Sequence, residues 1–474
     1  MGPSSFLRSS KVRRSIAVFS VILSAGGLVL MRAPASASQA SLFSIESGGA
    51  AATFGQGPIH GAVTLSQSAV VGGVPTELFA DVKLSADKQE GVERAPLSLA
   101  VVLDTSGSMA GDKIEDAKRS VLRLLADMRD DDEIALIRYS DAAEILQPLA
   151  RVGEVRRGLE SRVRELQAAG GTNIPGGLRE GRGSLTNAGL GRVKRIVLVS
   201  DGLDSGRSSA TALASDAAEH GMTVSSLGVG TDFDESYMGE IARQGHGNFA
   251  FVKEGEALAT FLRKELTETA STVAQNLHVR ITLPEGVSFV RAHGAEARIV
   301  GNNTVDLSAG ALFSGDERRV TLELSSSLQP GMRAPMPVTA SWMVRDGSPV
   351  AAEASGLALA AVSSRSEADA SRNAEVYARA MSVLASRAQT DAAEAFAKGD
   401  RAKAQALIDD NLQRLEAAAV SAPAAAPALR AQARAYESDK NDFGGSDPFS
   451  GSGKAAAKKA SAREFSNSGR VLSY

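Results

Sequence analysis

The chain has 474 residues, 43% hydrophobic and 23% charged, enough for about three globular domains and inconsistent with disorder throughout. It contains no cysteine, which excludes disulfides, thiolate zinc sites, thiol nucleophiles and a cysteine lipid anchor. A net charge of −3 lacks the basic excess of a nucleic-acid binder.

At the N-terminus, Arg8, Lys11, Arg13 and Arg14 precede a mostly apolar run from Ile16 to Met31, and Ala35-Ser36-Ala37 offers small residues to a peptidase. This is the layout of a signal peptide over 1–37. Its removal takes five basic residues from 52 and leaves 47 against 55 acidic ones, a net of −8. The expected location is secreted or periplasmic; the alternative is an N-terminal anchor kept in the inner membrane. No second stretch approaches the length of a bilayer span.

Residues 41–95 carry short β-like runs, among them Ala62 to Leu65 and Glu77 to Leu84, separated by Gly, Pro and Ser. From 96 to 273 the pattern alternates. Leu97 to Leu103 and Val193 to Val199 are nearly continuous apolar runs, as strands buried on both faces require. Helical spacing follows the first through Ile114, Ala117, Val121, Leu124 and Leu125. Ile134 to Tyr139 and Ala143 to Leu149 predict a hairpin, and further helix–strand alternation closes with a helix over Glu256 to Thr272. The fold class is therefore α/β, with a doubly wound, mainly parallel, Rossmann-like sheet.

Over 275–362 the period returns to two, predicting an antiparallel β-domain. The 41–95 segment has too few strands for its own core, so both flanks are expected to form one β-sandwich around the inserted α/β unit. Residues 366–418 predict an Ala-rich helical pair, with Val376, Val383, Leu384, Leu407, Leu412 and Leu415 as its internal packing. The Ala-Pro, Gly-Ser and Lys-rich stretch 421–474 predicts a flexible, low-complexity tail.

The residues with chemical potential sit where apolar strands end, which is where doubly wound sheets bind ligands. Asp104, Ser106 and Ser108 alternate across a turn after the first buried strand. Gly171-Thr172-Asn173 forms a second loop, and Ser200-Asp201-Gly202 follows a later strand. Two carboxylates with hydroxyls, and neither thiolate nor imidazole, suit a hard divalent cation such as Mg²⁺, Mn²⁺ or Ca²⁺. Helix capping accounts for Ser106, Ser108 and Thr172 but not for acids ending two apolar strands. Asp130-Asp131-Asp132 predicts a solvated turn rather than a second metal site, and Asp204 an ordinary loop acid, with a place at the site rim as the alternative. The five histidines lack zinc-peptidase spacing, and no Gly-x-Ser-x-Gly elbow occurs.

Asp104-x-Ser106-x-Ser108, Gly170-Gly171-Thr172 and Ser200-Asp201-Gly202, with Gly111 and Lys113 after the first motif, resemble the metal-ion-dependent adhesion site of a von Willebrand factor A-type domain, secreted bacterial type. The resemblance covers about 95–272. It implies that Ser106, Ser108 and Thr172 ligate a divalent cation, Mg²⁺ first, with Asp104 and Asp201 acting directly or through water. It also implies a protein partner whose Asp or Glu carboxylate completes the shell. The expected function is an exported, metal-dependent, adhesion-like binding module and not an enzyme. The alternatives are a metal-dependent hydrolase, which needs a general base that the sequence does not supply, and an accessory subunit of an ATP-driven remodelling machine, from which export would separate it.

Overall fold

The computed structural model describes residues 49–468 except 90–94, 190, 202–203, 231–232, 253–259, 264, 266–270 and 345–346. The signal peptide expected over 1–37 lies outside the described residues, as does most of the helix expected over 256–272, of which 260–263 and 265 are helical. Among the described residues no helix is long and apolar enough to cross a membrane.

The chain opens with β1 (Ala51–Gln56), β2 (Ile59–Leu65), β3 (Ala69–Val71) and β4 (Thr76–Ala86). It then enters the α/β unit through β5 (Leu97–Asp104), every residue of which is buried. Successive strand residues face opposite sides, and β5 divides accordingly. Leu97, Leu99, Val101 and Leu103 join one core, while Ala100 and Val102 join the other. The first core is covered by α1 (Asp112–Asp127), whose Ile114, Ala117, Val121, Leu124 and Leu125 form its buried stripe, and by α2 (Val152–Arg164). The second lies under α3 (Ile174–Leu185), α4 (Arg207–Glu219) and α5 (Glu235–Gln244).

Between these helices run β6 (Glu133–Tyr139), β7 (Ala143–Arg151), β8 (Val193–Ser200), β9 (Met222–Val229) and β10 (His246–Val252). The sheet order is β10-β9-β8-β5-β6-β7, parallel except for the antiparallel β6–β7 hairpin at one edge. The chain passes from β5 to β6 on one side and later returns to β8 on the other. The ends of β5 and β8 therefore flank the crevice where the winding reverses.

After this unit come β11 (Thr272–Thr282), β12 (Val287–His293), β13 (Glu296–Val300), β14 (Thr304–Phe313), β15 (Glu317–Ser326), β16 (Arg333–Pro335), β17 (Val338–Met343), β18 (Pro349–Ala354) and β19 (Ala358–Val362). Strands from both flanks share sheets. One has the order β1-β2-β4-β15-β12, a second β13-β14-β11-β17-β18, and a small third β16-β19-β3. In the first, β4 and β15 pair antiparallel from Ser85↔Glu317 to Thr76↔Ser326. One apolar core draws on both flanks, with Val63, Leu78 and Val82 meeting Leu277, Leu307 and Trp342.

The C-terminal region corrects one expectation. The flexible tail expected over 421–474 forms helices Ala426–Gly445 and Gly451–Ser468, which join helices Ala374–Ala397 and Arg401–Ser421 in one bundle. Pro427 sits in the first turn of its helix, where the missing N–H costs nothing. Leu429, Tyr436 and Phe443 are buried, and the Phe396 and Phe443 rings stack at 4.2 Å. A polar seam adds Gln389 Nε2 to Asp439 Oδ2 at 2.7 Å and Tyr436 Oη to Glu464 Oε2 at 2.8 Å. The Lys-rich stretch belongs to the last helix, and Lys458 Nζ lies 4.5 Å from the Phe233 ring centroid in the α/β unit.

The solvated Asp130–Asp132 turn is corrected in one residue. Asp132 is fully buried and accepts from the Leu97 N–H at 3.1 Å and the Arg129 N–H at 2.9 Å. It braces the start of β5, because the buried Leu97 amide has lost water and needs an acceptor.

Candidate metal centre

The β5/β8 register sets Leu103 beside Val199, which brings Asp104, at the end of β5, next to Ser200, at the end of β8. Asp104 Oδ2 accepts from Ser200 Oγ at 2.7 Å, and its Oδ1 accepts from the Ser106 N–H at 2.8 Å. Ser106 Oγ lies 3.0 Å from Ser108 Oγ, and Ser108 Oγ donates to Asp201 Oδ1 at 2.7 Å. A chain of hydrogen bonds through Ser106 and Ser108 thus connects the two acids. Both are buried, Asp104 at 0% and Asp201 at 1% exposure. Burial pushes the Asp104 carboxyl above its ordinary value, and the nearby charge of Asp201 adds to this. The hydrogen bonds from Ser106 and Ser200 offset only part of it.

The second loop is tied to the first by backbone. The Ala169 N–H donates to Thr105 O at 2.8 Å, and the Gly107 N–H to Gly170 O at 2.9 Å. Asn173 caps α3 by accepting from the Gly176 N–H at 2.9 Å, satisfying an amide that has no partner inside the helix. Thr172, half-buried, lies between these anchored positions.

Two acids brace this loop from outside the motifs. Asp141, in the β6–β7 turn, accepts from the Gly171 N–H at 3.0 Å. Gly170 has φ +85°, and a Cβ there would fall 2.5 Å from Asp141 Oδ2, so only glycine admits this approach. Asp204 accepts from the Ile174 N–H at 2.8 Å, the Gly206 N–H at 2.8 Å and Tyr237 Oη at 2.9 Å. It is thus more than the ordinary loop acid expected, since it links the second loop, the third loop and α5. Burial and the Asp204 carboxylate together hold the Tyr237 hydroxyl protonated, far above the usual tyrosine range. The sequence signal for Asp204 is slight, an acid three residues after Asp201.

Asp204→Ala is expected to cost about 1–3 kcal/mol, because it strands the buried Tyr237 hydroxyl and two loop amides. Tyr237→Phe, which removes one of the three bonds, should cost about 1 kcal/mol. Thermal unfolding checks both; an unchanged transition in each would refute the bracing role.

The donor set fits a hard cation. Two desolvated carboxylates face one another through serine hydroxyls, and a bound divalent ion would supply the compensation that their burial lacks. Among the described residues, no three or more His, Cys, Asp or Glu side chains cluster around a common metal position. The Ser106 and Ser108 hydroxyls stand beside the two acids as further oxygen donors. Lys113 also enters, its Nζ paired with Asp201 Oδ2 and 3.3 Å from Ser108 O.

The profile of the von Willebrand factor type A domain family matches residues 98–264. This segment is a von Willebrand factor type A domain. The chain around it is 29% identical over 291 residues to the protein sll0103 of Synechocystis sp., covering 56% of this chain and 66% of that protein. It is 28% identical over 256 residues to YfbK of Escherichia coli, covering 52% of this chain and 44% of that protein. The chain thus spans under two thirds of either relative's length. A von Willebrand factor type A structure from Catenulispora acidiphila superposes with a TM-score of 0.67 and 16% identity, covering 90% of this chain and 99% of that one. That likeness is one of fold and extends to the sandwich and the helices that flank the type A domain.

Proposed function

We propose that the type A domain binds a divalent cation, Mg²⁺ before Mn²⁺ or Ca²⁺, through Ser106, Ser108 and Thr172, with Asp104 and Asp201 acting directly or through water. The bound cation would present a Lewis-acidic position to an Asp or Glu carboxylate of a protein partner. Domains of this type commonly mediate metal-dependent protein interaction, and the observation that carries the reading is the pair of buried acids bridged by Ser106 and Ser108. Two carboxylates only balance a divalent charge, so the loaded site retains affinity for an outside anion. The positively charged and apolar segment before Ser38 supports export, to the periplasm or beyond, with retention in the inner membrane as the alternative.

A binding module is favoured over a hydrolase by where the bases are. His60 pairs with Asp87, His220 with Asp216, His278 with Asp306 and His293 with Glu323, in other parts of the molecule, and His246 begins β10, at the end of the sheet away from the site. Calorimetric titration with Mg²⁺, Mn²⁺ and Ca²⁺ tests the metal, and a pull-down from envelope extract in Mg²⁺ and again in chelator tests the partner. No heat with any of the three cations refutes the metal site. Proteins retained equally in chelator refute the bridging role, and ester or phosphate hydrolysis above background favours the hydrolase.

A further inference from the structure

Lys113 lies in the first turn of α1, one residue inside Asp112, yet its side chain turns toward the metal centre and away from open solvent. Its Nζ meets Asp201 Oδ2 and lies 3.3 Å from Ser108 O. The partner carboxylate is fully buried, while the lysine side chain keeps 29% of its surface exposed. The two Asp201 oxygens are divided in use. Oδ1 accepts from Ser108, which belongs to the hydroxyl chain toward Asp104, and Oδ2 belongs to Lys113.

One wall of the slot that holds this lysine is Gly230, at the end of β9. Gly230 follows β9 at φ +80°, and a Cβ there would lie 2.9 Å from Lys113 Cε and 3.2 Å from its Nζ. A side chain at 230 would crowd the lysine's terminal methylene, and glycine is also the residue that tolerates this backbone conformation. The ends of β5, β8 and β9 therefore converge on one ammonium–carboxylate contact.

We propose that Lys113 is a specificity-determining residue of the metal centre: its fixed positive charge weakens cation binding and strengthens capture of an anionic ligand by the loaded site. Asp104 and Asp201 supply two negative charges, and a divalent cation balances them. The ammonium leaves the loaded centre with one net positive charge. Within a few ångströms and in a partly buried setting, that charge opposes a second cation and attracts a carboxylate. A lysine that merely stabilised the loop would move both affinities in one direction, whereas this role moves them oppositely.

This inference rests on the metal reading proposed above, and the experiment separates the two. Mg²⁺ affinity of the full chain is measured by calorimetry for wild type, Lys113→Gln, Lys113→Arg and Gly230→Ala. At saturating Mg²⁺, a short capped peptide with one aspartate is then titrated against its asparagine counterpart. Lys113→Gln is expected to bind Mg²⁺ about ten-fold more tightly and the aspartate peptide about ten-fold more weakly. Lys113→Arg, which keeps the charge, should follow wild type in both. Gly230→Ala, which crowds the lysine without altering either acid, should shift both affinities as Lys113→Gln does, by less. It also carries the test if the glutamine variant misfolds. Wild type without Mg²⁺ heat overturns the metal reading and this inference with it. Wild type with heat, but with Lys113→Gln equal or weaker in Mg²⁺ affinity, overturns the inference alone, as does an unchanged preference for the aspartate peptide.

Discussion

Asp104→Asn is expected to abolish Mg²⁺ binding and, at neutral pH, to raise the unfolding temperature of the metal-free chain. The first effect follows from removing one of two carboxylates, which leaves the centre short of charge for a divalent ion. The second follows from the cost of the native acid. Asp104 is buried beside Asp201, and its carboxyl is pushed above the ordinary aspartate value, first by burial. A raised folded value means a contribution to stability that is present below the unfolded aspartate value and lost as pH rises through the folded one. At neutral pH the ionised acid therefore burdens the fold, and asparagine removes that burden.

The hydrogen bonds survive the exchange. The amide oxygen still accepts from the Ser106 N–H, and the Ser200 hydroxyl rotates to accept where it had donated. Wild type should gain about 2.7 kcal/mol at a Mg²⁺ concentration of 100 times Kd, while the variant gains nothing. The stability advantage of the variant without metal should shrink as pH falls through the raised folded value and be gone below the ordinary aspartate value. Scanning calorimetry at several pH values, with Mg²⁺ and with chelator, reads all three effects. A variant that is stabilised by Mg²⁺ as much as wild type would sink the site assignment.

The second large effect concerns the sandwich. A fragment of 272–362 is expected to show no cooperative unfolding by itself, and to recover a transition when mixed with a fragment of 49–89. β4 lies inside its sheet, between β2 and β15. Without it, β15 loses the antiparallel partner that runs from Ser85↔Glu317 to Thr76↔Ser326 and presents an open edge to aggregation. The shared core also loses Val63, Leu65, Leu78, Val82 and Leu84, all at 0% exposure. At roughly 1.5–3 kcal/mol for each side chain, that loss is about 10 kcal/mol. It is comparable to the whole stability of a typical domain. Circular dichroism melts of the separate and mixed fragments decide the matter. A cooperative transition in 272–362 alone, unchanged by the partner fragment, would show that the second flank folds by itself.

The two flanks also bear on mechanics. The chain leaves the sandwich after β4 and returns at β11, so the type A domain is held by two covalent connections. The final helix adds a third contact, from Lys458 to Phe233. Phe233 lies three residues beyond Gly230, whose backbone faces the lysine of the metal centre. Gly230 therefore faces the site, and Phe233 meets the bundle.

What the sequence determined by itself was local pattern. The apolar run of β5, the alternation that divides its residues between two cores, and the acids and hydroxyls at the ends of β5 and β8 are legible because each depends on a few consecutive residues. The long-range decisions belong to the tertiary structure. Lys113 meets Asp201 across 88 residues, Asp204 reaches the Ile174 amide across 30, and β15 finds β4 across an intervening domain. Spacing along the chain does not record which strand ends become neighbours, so the bracing acids and the lysine could not be assigned their partners beforehand. The C-terminal helices were misread for a related reason. Gly, Ser and Pro between 421 and 453 look like coil when read locally, and their Ala-rich surroundings bury little apolar surface alone. Docking supplies the missing term, because Leu429, Tyr436 and Phe443 leave water only when the other helices are present, and helices in proteins owe most of their stability to such packing.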